Sequence, residues 1–197
     1  MVILIKLIDK YVGNLLCNFL ALFNKKKASD NLRIINKILV IQLWGIGETI
    51  LTLPAIEALR GKFPKAEISI LATPRNKDVF FGNKNVDKVI TLKLNPLSVL
   101  NFIFKNTRKY DLIIDMEEYL NVSAIMSFFA GKKVVGYSHG SRAKLYTEKV
   151  RYNNKQHAVQ TFLDLVRVLG IVCDTSKLPQ LNFSKNDKNY VDKFLKN

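Results

Sequence analysis

The first 24 residues combine apolar and polar positions in the rhythm of a helix. Apolar side chains recur at spacings of three and four, at Ile8, Val12, Leu15, Phe19 and Phe23. Polar side chains fall on another face, at Lys10, Asn14 and Asn18. This spacing predicts an amphipathic helix.

This helix is a poor candidate for a membrane span. The longest stretch without a charged side chain, residues 11–24, contains three Asn and falls short of the roughly 20 apolar residues that a bilayer core requires. Residues 25–27, three consecutive lysines, suit the anionic surface of a membrane, where a Lys contributes about 1 kcal/mol. Three placements stay open: an interfacial helix, a helix packed on the folded domain, and a signal segment.

From residue 37 onwards, apolar runs alternate with amphipathic stretches. The run 37–43 is apolar except for Lys37 and Gln42, which is typical of a strand buried on both faces. Further strands are predicted at 67–72, 88–92, 110–116 and 133–136, and helices at 48–62, 75–81, 96–106, 121–130, 156–169 and 184–195. Alternating strands and helices with short links predict an α/β, Rossmann-like parallel sheet with right-handed crossovers.

The alternation of elements divides the chain into four segments. They are an amphipathic, membrane-surface helix at 1–27, a linker at 28–35, a Rossmann-like domain at 36–176, and a second linker with one helix at 177–197. The last helix follows an extended stretch with little to pack against. We therefore expect it to be the first helix of a second domain, and we expect the 197-residue chain alone not to catalyse a reaction.

The chain is strongly basic, with 31 Lys and Arg against 16 Asp and Glu and a formal net charge of +15. An anionic partner is one explanation. Only seven of the cations are Arg, the residue that reads phosphates and bases in bidentate geometry. Scattered lysines are more typical of a solvated surface. Because no RNA- or DNA-binding motif accompanies the charge, we do not expect a nucleic-acid partner. The two cysteines, Cys17 and Cys173, lie far apart without metal-binding spacing, so no metal site is predicted.

The turn after the first strand is the best candidate for a binding site. In open parallel sheets, ligands bind beyond the carboxyl ends of the strands. Gly45 and Gly47 allow a ligand to approach the backbone, and the N–H groups at the following helix start suit an anion. Glu48 is the carboxylate of this turn, with Ile46 and Thr49 as its neighbours.

This turn does not match the common nucleotide-binding fingerprints. A dinucleotide fingerprint would place a glycine at position 50, where Ile50 stands, and the P-loop pattern is absent. Neither NAD nor ATP is therefore expected here. Asp115, Glu117 and Glu118 follow the fourth strand and could contact sugar hydroxyls. His139 and Arg142 could face the same crevice and bind an anionic acceptor.

A series of short motifs gives the chain a family resemblance. Three of them are short: a Gly-Glu turn at Gly47 and Glu48, a Leu-Pro-Ala turn of a helix at 53–55, and a Phe-Pro pair at 63–64 before the second strand. Three longer patterns follow at residues 83–90, 110–124 and 157–171. In order and spacing this series resembles glycosyltransferase family 9, the lipopolysaccharide heptosyltransferases. The resemblance covers residues 36–196 and implies the N-terminal, acceptor-side half of a GT-B fold.

The resemblance implies an inverting transfer of a sugar from a nucleotide-sugar donor to a lipid-linked saccharide acceptor. Glu48 matches the position of the family's catalytic base, where Asp is usual, and no metal or bound cofactor is implied. The donor would bind mainly to the second domain. The protein would be cytoplasmic and peripheral on the inner face of the membrane. Asn121 and Val122 stand where the family often carries a basic residue, which puts acceptor-phosphate recognition by that loop in doubt. The alternative is a non-catalytic, membrane-tethered saccharide-binding module or one half of a split enzyme.

Overall fold

The computed structural model of the chain describes residues 7–24, 34–173 and 180–195. The three lysines 25–27, most of the predicted linker 28–35, and residues 177–179 of the second predicted linker lie outside the described residues.

A six-stranded, wholly parallel sheet forms the centre of the molecule, in the order β3-β2-β1-β4-β5-β6. The strands are β1 (Lys37–Ile41), β2 (Glu67–Ala72), β3 (Lys88–Thr91), β4 (Tyr110–Asp115), β5 (Gly131–Tyr137) and β6 (Glu148–Val150). This architecture confirms the α/β, Rossmann-like fold that the sequence predicts. In the register of the central pair, Ile41 lies opposite Asp115, so β1 and β4 end at the same level.

Two helical layers cover the sheet, because successive side chains of a strand point to opposite faces. Ile38 and Val40 of β1 belong to one apolar core, and Leu39 and Ile41 belong to the other. The helices are α1, which combines a π turn (Asp9–Gly13) with an α-helical part (Asn14–Ala21), α2 (Ile46–Lys62), α3 (Pro96–Asn106), α4 (Asn121–Ala130), α5 (Ala158–Arg167) and α6 (Lys185–Phe194). Helices α2 and α5 pack together on one face, and α1, α3 and α4 cover the other.

Helix α1 packs on the domain through small and polar side chains rather than through its apolar stripe. Gly13 and Cys17 are buried, and a β-carbon at Gly13 would stand 2.7 Å from that of Asn121, so α1 and α4 approach closely. The stripe predicted from the sequence points away from the domain, and its members are 51–70% exposed: Ile8, Val12, Leu15, Phe19 and Phe23. No helix in the described ranges is long and apolar enough to cross a membrane.

The structure corrects several predicted elements. Strand β6 and a short 3-10 helix, Ser141–Leu145, were not predicted, and β5 is longer than residues 133–136. The predicted helix 75–81 is a 3-10 turn, Lys77–Phe80, and β1 ends at Ile41 instead of residue 43. The predicted bounds of α3 and α4 are confirmed.

Candidate active site

A cleft of about 590 Å³ opens at the carboxyl ends of β1, β4 and β5. Strand β1 connects forward to β2 on one side and pairs with β4 on the other, so the cleft lies at the switch point of the sheet, where ligands of open α/β folds bind. Its lining comes from the turns after these strands and from the inner side of α1: Asp9, Lys10, Asn14, Gln42, Trp44, Glu48, Met116, Glu117, Glu118, Tyr119, Leu120, Asn121, His139, Gly140, Arg142 and Phe162.

Glu48 lies in the first turn of α2, at the rim of this cleft, and its side chain folds back over Gly45. A β-carbon at Gly45 would stand 3.0 Å from Oε2 of Glu48. Gly45 also has a φ of 69°, in the left-handed region that favours glycine. The turn therefore depends on Gly45 for both its backbone shape and the room for the Glu48 carboxylate.

Glu117 fixes the turn after β1 from below. Its Oε1 accepts hydrogen bonds from the backbone N–H of Leu43 at 2.5 Å and of Trp44 at 3.0 Å. Burial raises the pKa of Glu117 to about 8, although the N–H groups of Leu43 and Trp44 oppose this shift. Glu117 therefore spans β4 and β1 as a positioning residue, and its carboxyl keeps its proton near neutral pH.

Asn76 fixes the same turn from the opposite side and was missed by the sequence analysis. Its side-chain amide donates to the carbonyl oxygen of Gln42 and to Oγ1 of Thr49, at 2.9 and 2.8 Å. Its Oδ1 accepts from the N–H of Thr73 at 2.9 Å. Thr49 is fully buried in this network and does not line the cleft.

Arg142 lines the cleft and forms an ion pair with Asp115, and both side chains are buried. Nη2 of Arg142 lies 3.0 Å from Oδ2 of Asp115, which also accepts from the hydroxyls of Tyr146 at 2.6 Å and Ser123 at 2.9 Å. Burial raises the pKa of Asp115, and the charge of Arg142 opposes that shift. Burial lowers the pKa of Arg142, but Tyr146 and Asp115 outweigh it and hold this pKa above its usual range.

Two buried nitrogens of cleft-lining residues have no hydrogen-bond partner among the described residues: Nη1 of Arg142 and Nδ1 of His139. Nε2–H of His139 donates to the carbonyl oxygen of Glu118 at 2.5 Å, so the imidazole is held in place. Around it stand the rings of Tyr119, Tyr137 and Tyr152, with centroids 5.4–6.1 Å away. Because a buried polar atom without a partner costs free energy, a ligand that supplies partners to both nitrogens would fit this wall.

Helix α1 forms part of the cleft lining. The carboxylate of Asp9 accepts from the N–H groups of Asn121 and Val122, each at 2.8 Å, and so caps the start of α4. Asp9, Lys10 and Asn14 line the cleft. The carboxylate of Asp9 thus binds the backbone of Asn121 and Val122, the two positions where the resembling family often carries a basic residue.

The structure brings five of the ten predicted site residues into the cleft wall, namely Glu48, Glu117, Glu118, His139 and Arg142. Five others are absent from the wall: Gly45 precedes α2, Ile46 and Gly47 are its first two residues, and Thr49 and Asp115 are buried. Their predicted roles in substrate contact stay predictions. His157 caps the start of α5, where its side chain accepts from the N–H of Val159.

A protein-family model matches part of the chain. The model of glycosyltransferase family 9 (heptosyltransferase) matches residues 105–196. This range excludes the turn that carries Glu48, so the predicted role of Glu48 as catalytic base stays a prediction. None of the curated proteins compared with the chain matches it.

Solved structures share the fold over most of the chain. A glycosyl transferase family 9 protein from Veillonella parvula DSM 2008 superposes with a TM-score of 0.70 at 20% identity, covering 82% of this chain and 49% of its own. The E. coli ADP-heptose lps heptosyltransferase II superposes with a TM-score of 0.63 at 19% identity, and the match covers 81% of this chain and 50% of that structure. E. coli heptosyltransferase WaaC, solved with ADP-2-deoxy-2-fluoro heptose, superposes with a TM-score of 0.62 at 19% identity. The match covers 72% of this chain and 51% of that structure. The chain therefore spans about half the length of these structures.

Proposed function

Since the chain has the fold of the glycosyltransferase family 9 structures and its residues 105–196 match the model of that family, we propose that it is the acceptor-side domain of a sugar-transferring enzyme. The observation that carries the proposal is the cleft at the switch point, where Glu48 stands on the rim and two buried nitrogens of the wall have no hydrogen-bond partner in the described part of the chain. The Glu48 carboxylate and these two buried nitrogens line the same cleft, and together they suit a hydroxyl-rich ligand such as a saccharide.

In the proposed reaction, Glu48 acts as general base towards one hydroxyl of the acceptor. The hydroxyl oxygen attacks the anomeric carbon of a nucleotide-sugar, the bond from that carbon to the phosphate oxygen breaks, and the nucleoside diphosphate leaves. The proton of the hydroxyl passes to the Glu48 carboxylate. Attack from the side opposite the leaving group inverts the anomeric centre. A well-placed base contributes about 10²–10⁴-fold to such a step.

The remaining residues of the cleft orient the acceptor in this proposal. Nη1 of Arg142 would donate to an oxygen of the acceptor, and the buried ion pair with Asp115 holds that guanidinium in place. The ring of Tyr119, which is 68% exposed beside His139, offers an apolar face to a sugar ring. Glu117 and Asn76 contribute indirectly, because they fix the turn that carries Glu48.

The donor is proposed to be a nucleotide-linked heptose, because one of the matched structures, WaaC, is solved with an ADP-heptose analogue. Its nucleotide would bind to a second domain, of which α6 would be the first helix. The acceptor is proposed to be a lipid-linked saccharide of the lipopolysaccharide-core type. The exposed apolar stripe of α1 would rest on the inner face of the cytoplasmic membrane, where such an acceptor is anchored.

Acceptor binding can be tested on the 197-residue chain by following amide NMR shifts during titration with deacylated lipopolysaccharide-core oligosaccharide. We expect saturable shifts at cleft residues such as Glu48 and His139, and none at Asp78 and Val172, which do not line the cleft. A neutral dextran oligosaccharide of equal length serves as the control ligand. Absence of shifts at millimolar core oligosaccharide would contradict the acceptor-side assignment.

A further inference from the structure

A second cavity lies beside the cleft, between α1 and the start of α3. It is a groove of about 320 Å³ whose walls are almost entirely apolar. Val12 and Leu16 of α1 form one wall, Leu94 and Val99 form the other, and Ile125 of α4 lies at its base. Asp9 and Leu120 line both the groove and the cleft, so the two cavities are adjacent.

Helix α3, whose first turn lines the groove, carries a further set of exposed apolar side chains. Leu97, Leu100 and Phe104 follow one another at spacings of three and four, and therefore share one face of the helix. Leu97 is 81% exposed and Phe104 is 80% exposed. Phe102 of the same helix is buried in the core, so the exposed side chains are not needed to hold α3 on the sheet.

The two stretches of sequence that contain α3 and most of α1 carry only basic charges. From residue 88 to residue 110 the sequence carries five cations and no acidic residue: Lys88, Lys93, Lys105, Arg108 and Lys109. From residue 10 to residue 29 it carries four lysines and no acidic residue. Asp9, next to the second stretch, is occupied by the N–H groups of α4. Large apolar patches rimmed by polar residues mark interaction sites, and a basic rim selects an anionic partner.

We infer that α1 and α3 together form one membrane-docking face, and that its occupant is the surface of an anionic phospholipid bilayer, with lipid acyl chains entering the groove between the two helices. The inference rests on the proposed membrane contact of α1 and extends it to α3. It has a consequence for the cleft, since Asp9 and Leu120 line both the cleft and the groove. A saccharide attached to a lipid of the same bilayer would reach the cleft without leaving the membrane.

Vesicle co-sedimentation of the intact chain tests the inference with three matched variants. The α3 variant carries Leu97→Ser, Leu100→Ser and Phe104→Ser, and the α1 variant carries Phe19→Ser and Phe23→Ser. The control carries Phe81→Ser, Val168→Ser and Val172→Ser, which are 44–96% exposed next to the α2–α5 layer on the opposite side of the sheet. The vesicles are phosphatidylcholine with or without about one third phosphatidylglycerol.

We expect the α3 variant to lose at least about tenfold in binding to the anionic vesicles, because each apolar side chain contributes by its buried area, and we expect the control to bind like the original chain. Loss in the α1 variant with undiminished binding in the α3 variant would overturn the inference and leave the proposed contact of α1 intact. Undiminished binding in both would overturn both. Equal binding to neutral vesicles would overturn the choice of an anionic surface.

A fluorescence measurement on folded protein gives a readout that does not depend on affinity. The chain contains a single tryptophan, Trp44, so Leu97→Trp adds one reporter on α3 and Phe81→Trp adds one on the opposite side. Brominated anionic lipids should quench the emission added by Leu97→Trp and leave that added by Phe81→Trp unchanged. Equal quenching of the two variants would overturn the inference.

Discussion

Asp9 and Asn121 are 112 positions apart in the sequence, yet Oδ2 of Asp9 accepts a 2.8 Å hydrogen bond from the backbone N–H of Asn121. The other oxygen of Asp9 accepts from Val122 at the same distance. A carboxylate at this place satisfies two of the free N–H groups of α4 and complements its dipole. One residue thereby joins α1 to the helix that bounds the cleft.

The first prediction concerns this cap. Asp9→Ala should lower the free energy of unfolding by about 1–2 kcal/mol, the usual cost of removing a cap, and should loosen α1. Thermal unfolding and amide exchange at residues 121 and 122 measure the two effects. Lys10→Ala, one residue away and exposed, is the matched control. Unchanged exchange at Asn121 would show that α4 does not depend on Asp9.

The second prediction concerns pH. Because the pKa of Glu117 is raised to about 8 in the fold, the unfolded chain loses this proton from about pH 4.5 upwards, whereas the folded chain keeps it until about pH 8. Stability from this group is therefore present at low pH and falls as the pH rises through that window. Glu117→Gln keeps the oxygen that accepts from Leu43 and Trp44 but cannot ionise.

Urea unfolding of the original chain and of Glu117→Gln at pH 5, 6.5 and 8 measures this effect. We expect the free energy of unfolding of the original chain, relative to that of the variant, to fall by about 1–3 kcal/mol from pH 5 to pH 8. Glu118→Gln, in the next and partly exposed position, controls for the loss of one acidic residue. Parallel pH profiles for the original chain and Glu117→Gln would contradict the raised pKa.

The third prediction concerns catalysis in a protein that joins this chain to a donor domain. Glu48→Gln should lower kcat by about 10²–10⁴-fold, because an amide cannot accept the proton, and should leave donor binding nearly unchanged. Glu48→Asp should retain much more activity, since Asp is usual at this position in the family that the chain resembles. Release of nucleoside diphosphate measures both. A kcat of Glu48→Gln close to the original value would show that Glu48 is not the catalytic base and only stabilises the start of α2.

The fourth prediction concerns α1 and salt. Binding of the chain to anionic vesicles should weaken as NaCl rises from 50 to 500 mM, because salt screens the attraction between surface lysines and lipid headgroups. Deletion of residues 1–27 should abolish most of the binding. Since the deletion also removes the contacts of Asp9 and Cys17, Phe19→Ser with Phe23→Ser is the cleaner comparison. Salt-independent binding, or equal binding by the deletion variant, would contradict the proposed membrane contact.

The sequence by itself determined the layered fold. A parallel strand buried on both faces needs a continuous apolar run, so β1, β2 and β4 were visible as such runs, and α3 was bounded by Pro96 at its start. The place of the cleft followed too, because parallel strands that alternate with helices all end at one edge. The helix predicted at 184–195 was found as α6, and a capping box between Ser184 and Asp187 starts it.

Only the tertiary structure decided which groups meet at the cleft. Strand β6 has three residues, Glu148, Lys149 and Val150, and acquires its conformation by pairing with β5 rather than from an apolar pattern. Periodicity marked the apolar stripe of α1 but could not show that Gly13 and Cys17, on the other side, form the packing face. Asp9, Asn76 and Tyr146 reach the site through partners on other elements of the fold. Local patterns report the environment along one element, whereas these hydrogen bonds depend on how separate elements are placed in space.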